Sequence, residues 1–134
     1  MAGIDRNIEL SIVSPSKNHY EGEVLSAQIP MHDGLIGVLP GHAPLVGLMG
    51  FGLLTLQDDA GRRSFVIDSG FVEIQPGRIT VLANHAEDLE LVDLAQAEKS
   101  LKEALAMHAE GEYQVQQRLD RIAAARTRVR YGAA

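Results

Sequence analysis

Two different sequence patterns in one chain predict an α+β protein: an antiparallel β-sandwich over residues 1–87, then an α-helical hairpin over residues 88–134. Three observations carry this reading. All five prolines (Pro15, Pro30, Pro40, Pro44, Pro76) and 11 of the 13 glycines precede residue 78. The front half alternates apolar and polar residues with a period of two, the signature of a sheet with one buried face. The back half carries apolar residues at helical spacing, with alanines and charged residues between them.

Taken in order, Ile8, Leu10 and Ile12 alternate with Glu9 and Ser11 and predict the first strand. Val24–Ile29, Gly52–Leu56, Ser64–Asp68, Phe71–Ile74 and Ile79–Ala83 are further short runs rich in β-branched, aromatic or other apolar residues. Asp58-Asp59-Ala60-Gly61 and Gln75-Pro76-Gly77-Arg78 separate them with residues that preset a turn or tolerate positive φ. A composition shift near Asn84–Glu90 marks the boundary. Beyond it, Asp93 followed three residues later by Gln96 reads as a capping box. Leu94, Ala97, Leu101, Ala104 and Leu105 then form one helical stripe, and Val115, Leu119, Ile122 and Val129 form a second after Glu110-Gly111-Glu112. Four or five modest apolar side chains per stripe, at roughly 1.5–3 kcal/mol each if fully buried, face an ordering cost of about 1–2 kcal/mol per residue. Packing of the hairpin is therefore expected to be marginal. Gly111 costs only about 1 kcal/mol inside a helix, so residues 93–130 could also extend as a rod of roughly 55 Å.

Composition narrows the function. With 134 residues the chain makes one domain, or one small domain with an appendage. It has no cysteine, which excludes disulfides, thiol nucleophiles and Cys-based zinc sites. The start has no signal-peptide core and no run approaches 18 apolar residues, so the chain reads as soluble and cytoplasmic. A net charge of −6, no Trp and 4% aromatics argue against nucleic acid. The charge is uneven: residues 87–112 hold 8 acidic and 2 basic groups, whereas residues 113–134 hold five arginines against Asp120 alone. That division predicts two surfaces made for different neighbours.

No catalytic constellation emerges. His19, His32, His42, His85 and His108 show no metal-type i, i+4 spacing and no partner nucleophile motif. His32-Asp33 reads as an acid–base pair or, more simply, as turn decoration before Gly34. Gly34, Gly37 and Gly41 do not make a phosphate loop, since no G-x-x-x-x-G-K-[ST] or G-x-G-x-x-G is present. Arg118, Arg121, Arg126, Arg128 and Arg130 read either as a solvated helix face near the C-terminal dipole or as a strip for an acidic partner. The residues by themselves describe a binding module, with no catalytic residue, metal or cofactor.

Leu10-Ser-Ile-Val-Ser-Pro15, Tyr20-Glu-Gly-Glu-Val24, Gly34-Leu-Ile-Gly-Val-Leu-Pro-Gly-His-Ala-Pro-Leu45, Gly70-Phe-Val-Glu-Ile74 and Ile79-Thr-Val-Leu-Ala83 occur in this order. With Val92-Asp93 opening an Ala-rich helix, the pattern is similar to the ε subunits of bacterial and chloroplast F-type ATP synthases, called δ in mitochondria. The resemblance implies a sandwich of about ten strands followed by a helical hairpin. It implies a non-catalytic rotor subunit that joins the γ subunit to the ring of c subunits and restrains ATP hydrolysis by the α and β subunits. Such a protein meets the membrane only through the complex, on the cytoplasmic face of the bacterial inner membrane. By the same resemblance Asp33, Gly34, Gly37 and His42 belong to the loop near the ring and γ, with Leu35 where many relatives carry an acidic residue. Arg118, Arg121, Arg126 and Arg128 would meet acidic loops of the β subunits. Asp93 and Gln96 fall in a nucleotide-binding motif of some relatives, but Gln96 replaces its arginine and removes the phosphate partner, so weak or no nucleotide binding is expected. The competing reading is a stand-alone sandwich adaptor with a helical interaction tail.

Overall fold

The computed structural model describes residues 7–132. The chain falls into two compact units, the first ending at Asp88 and the second beginning at Leu89.

The first unit has eight strands: β1 (Ile8–Val13), β2 (Asn18–Val24), β3 (Ser26–Met31), β4 (Gly34–Val38), β5 (Leu45–Asp58), β6 (Gly61–Gln75), β7 (Arg78–Ala83) and β8 (Ala86–Asp88). Their order is β2-β1-β7-β6-β5-β3-β4, with β8 added to β6. The pairs are antiparallel except β1–β7, which is parallel.

The strand count is eight, against the ten implied by the resemblance, because β5 and β6 run through as strands of 14 and 15 residues. Ser64–Asp68 and Phe71–Ile74 are thus two ends of one strand. Between them Ser69 (φ 56°) and Gly70 (φ 135°) bend β6. Beyond the bend β6 pairs with β7 through Gly70–Gln75, and before it with β8 through Phe65–Ile67. Asn84 holds the crossing, donating from its backbone N to Ser69 O at 3.0 Å and from its side chain to Ser69 Oγ at 2.8 Å. The apolar run Val24–Ile29 is likewise divided. Leu25 separates β2 from β3 and donates to Gln57 O at 2.7 Å, so the chain leaves one partner strand for another at that residue.

Folding the sheet over itself buries one apolar cluster. Leu10 and Ile12 of β1, Ile29 of β3, Leu54 and Leu56 of β5, Phe65 and Ile67 of β6, and Ile79 and Val81 of β7 all lie within it. The edge strand β2 reaches the interior strands β5 and β6 where Tyr20 donates to Asp58 Oδ2 at 3.1 Å and lies edge-on to Phe65, with ring centroids 6.1 Å apart. Burial, then the bond to Asp58, raises the Tyr20 phenol pKa above 10.

The second unit opens with a 3₁₀ turn at Leu89–Leu91, followed by α1 (Leu94–Ala106) and α2 (Gly111–Gly132). Asp93 caps α1 by accepting from Gln96 N at 3.1 Å. Only half of the capping box forms, because the Gln96 amide turns forward to Ser100 Oγ at 3.3 Å. The buried residues of the helices are small apart from Ile122: Ala97 and Ala104 from α1, with Ile122, Ala125 and Thr127 from α2.

Candidate partner-binding surfaces

Three places on the two units offer chemistry to a neighbour. The first is an apolar row on the outside of the sandwich. In β5, β6 and β7 one set of alternate residues is buried (Met49; Val72 and Ile74; Ile79, Val81 and Ala83). Alternation then turns Leu48, Phe71 and Leu82 outward, and these three are paired across adjacent strands, Leu48 with Phe71 and Phe71 with Leu82. Val13 of β1 continues the row beside Leu82. At about 4.8 Å per strand the row runs roughly 14 Å. Phe71, Leu82 and Leu48 are 56%, 53% and 49% exposed, and the neighbouring Val46 is 70% exposed. A second row beside it is polar, with Glu73, Thr80, Ser11 and Glu21 in successive strands. Apolar residues at positions the alternation assigns to solvent mark a surface meant to be covered. In the sequence Phe71 and Leu82 interrupt the polar phase of their strands, but Leu48 follows Val46 and joins them only through the strand register.

The second place is the β3–β4 hairpin and the segment after it. The residues read from sequence as a loop include a strand, because β4 pairs with β3 from Gly34–Met31 to Val38–Ala27. Glycines at Gly34 and Gly37 hid its periodicity. Asp33 and Gly34 sit at the turn, Gly37 lies inside β4, and His42 follows the strand. Four residue steps of extended chain, about 13 Å, separate the ends of β4, so these residues do not converge on one point. Leu39-Pro40-Gly41-His42 is a type II turn: His42 N donates to Leu39 O at 3.1 Å, Pro40 presets φ, and Gly41 takes φ 86°. The turn lifts Leu39 to 65% exposure, matching Leu35 at 63%. His42 Nδ1 lies 2.6 Å from Ala43 O, and His32 Nδ1 lies 3.3 Å from Leu48 O.

The third place is the arginine strip of α2, and the structure divides it. Arg118 Nη2 donates to Leu105 O at 3.0 Å, and Arg121 Nη1 reaches Met107 Sδ at 3.9 Å. Arg128 Nη1 donates to Ala124 O at 3.0 Å within its own helix. Arg126 is exposed and makes no hydrogen bond among the described residues. Asp93 and Gln96 bond within α1 itself, and among the described residues neither makes a hydrogen bond to an arginine.

Elsewhere the polar clusters are structural. Arg63 donates to Asp88 Oδ2 at 2.8 and 3.2 Å while lying over the Phe65 ring at 4.9 Å. Ser14 Oγ lies 2.6 Å from His19 Nε2, and burial first, then Lys17 and His85, lower the His19 pKa. Among the described residues no group of His, Asp or Glu is arranged to hold a metal. No helix among them is long and apolar enough to cross a membrane.

Residues 7–89 match the family model for the ATP synthase delta/epsilon chain, β-sandwich domain. Curated relatives are named ATP synthase epsilon chain. One from Desulforudis audaxviator is 42% identical over 96 residues, covering 72% of this chain and 70% of the relative. One from Leptospira interrogans is 38% identical over 97 residues, covering 72% and 76%. Among solved structures, a chain of the Euglena gracilis mitochondrial ATP synthase, OSCP/F1/c-ring, superposes with a TM-score of 0.80 at 24% identity, covering 94% of this chain and 81% of that one. A chain of the Tetrahymena thermophila mitochondrial ATP synthase, central stalk/c-ring, gives 0.70 at 12% identity, covering 94% and 96%.

Proposed function

From the premise that the chain belongs to the ATP synthase delta/epsilon family, we propose that it is a non-catalytic epsilon-type subunit of the central stalk. In this reading the sandwich docks on the γ subunit and the c-ring, and the helical hairpin restrains ATP hydrolysis by the α and β subunits. A bacterial member would sit on the cytoplasmic face of the inner membrane, held there by the complex. The solved neighbours named above come from ATP synthase assemblies, which supports these partners.

The observation that carries the docking claim is the row Leu48–Phe71–Leu82–Val13. Such a row left in water has no structural purpose in the sandwich, whose core is already filled from the opposite face. We assign it to γ, and the edge strand β4, with Leu35 exposed near one end and Leu39 just past the other, to the ring. Replacing a half-exposed apolar anchor by a charge costs the fold little, because the group stays in solvent. In the complex it buries an unpaired charge, which costs several kcal/mol. Phe71→Asp with Leu82→Ser should therefore leave the circular dichroism spectrum intact and weaken co-purification with γ at least tenfold. Undiminished co-purification would exclude this face, and retention of some unrelated protein in place of γ would favour the adaptor reading.

The regulatory claim rests on Arg126, the exposed arginine with no hydrogen bond among the described residues. Pairing with an acidic surface strengthens as the pair is desolvated. Arg126→Gln is expected to raise ATP hydrolysis of the assembled enzyme severalfold without loss of assembly. Equal hydrolysis in variant and parent would remove the regulatory role and leave the rotor role standing.

A further inference from the structure

We infer that Arg118 is a clasp that holds the hairpin closed, so that its role is opposite in sign to that of Arg126 on the same helix. The inference rests on the regulatory reading only for its consequence in the assembled enzyme; the clasp itself is a property of the isolated chain.

The clasp closes on the end of α1. The last four carbonyls of a helix have no intrahelical donor, and the dipole gives them partial negative charge. Met107 N, donating to Ala104 O at 3.3 Å, satisfies one of them. Leu105 O is satisfied from outside its helix, by the Arg118 guanidinium at 3.0 Å. Arg121, one turn further along α2, lies against Met107, the residue that ends α1. A cation of α2 therefore closes the C-terminus of α1.

The same carbonyl has a second use. If α1 continued into α2 as a single rod, Leu105 O would accept from the backbone N–H of Ala109, four residues on. Arg118 would then stand 13 residues away, about 20 Å along the axis, and could not reach it. The clasp and the rod thus compete for one acceptor. Little else opposes extension, because three of the five buried residues of the helices are alanines and Gly111 already sits at the break with φ 80°. Extension frees Arg118 at the moment the hairpin can reach a distant partner.

The chain has no cysteine, so Lys99→Cys and Asp120→Cys give two unique sites for spin labels in the full-length protein. In a rod these sites would lie about 32 Å apart, and in the closed hairpin far nearer. Losing a charge-assisted bond at a solvent-exposed helix end should raise the extended population roughly fivefold in Arg118→Ala. Arg126→Ala should leave the distance distribution of the parent. An unchanged distribution in Arg118→Ala, or an equal shift in both variants, would overturn the clasp. In the assembled enzyme Arg118→Ala should lower hydrolysis where Arg126→Ala raises it. If the distances shift and hydrolysis does not, the clasp stands and the regulatory reading fails.

Discussion

Gly70 shows how one residue governs the sandwich. It follows Ser69 at the bend of β6, with φ 135°, a conformation that side-chain-bearing residues rarely adopt. A Cβ there would collide with the Leu82 carbonyl oxygen and lie 2.8 Å from Ala83 Cα. Both are backbone atoms of β7, so neither can swing aside. The bend also passes β6 from β7 to β8, and shifting it would disturb both pairings. Gly70→Ala is therefore expected to cost about 3 kcal/mol or more. In a protein of this size that lowers the melting temperature by roughly 10 °C. A thermal melt by circular dichroism within 2 °C of the parent would show that β7 can give way. Gly61 provides the contrast: its φ is also positive, at 128°, but a Cβ there meets nothing within 4 Å.

At the scale of elements, the parts of the fold with strong periodicity were legible in the sequence. β1 could be read from alternation, the second half of β5, both ends of β6 and β7 from short apolar runs between turn signals, and Asp93 announced the start of α1. Three kinds of element could not. β4 is masked by Gly34 and Gly37, which contribute no side chain to a pattern. The hand-over from β2 to β3 at Leu25 is invisible because Val24, Ala27 and Ile29 are all buried on either side of it. The parallel pairing of β1 with β7 depends on residues some seventy positions apart, which no local signal encodes. The helical stripes were read correctly as spacing and in part as burial, since Ala97, Ala104 and Ile122 are buried. Leu105, Val115 and Leu119 of the same stripes remain 46%, 43% and 49% exposed. The candidate surfaces follow the same division. The arginine cluster was visible as composition, whereas its partition into a clasp and a cation with no hydrogen bond among the described residues needed the position of Leu105 O. The outward row of Leu48, Phe71 and Leu82 needed strand register.

For the whole molecule, the separation of buried side chains predicts how the chain comes apart. Every member of the sandwich core lies between Ile8 and Ala86, while the helices bury mainly alanine methyls, each contributing roughly 1 kcal/mol. A chain ending after Leu89 should keep the melting temperature of the sandwich within about 2 °C. In the full-length protein, helical ellipticity should fall at lower denaturant concentration than the strand signal, because the thinner interface opens first. The cut must fall beyond Asp88. Its carboxylate, whose side chain is only 15% exposed, receives both bonds from Arg63, and β8 covers the Phe65–Ile67 edge of β6. A chain ending at Ala83 strips that edge, leaves Arg63 over Phe65 without its partner, and should lose several kcal/mol or fail to fold. Equal stability of the two truncations would show that β8 is ornamental. A fall of more than 5 °C in the longer one would show that the helices help to hold the sandwich, and the two units could no longer be treated as independently stable.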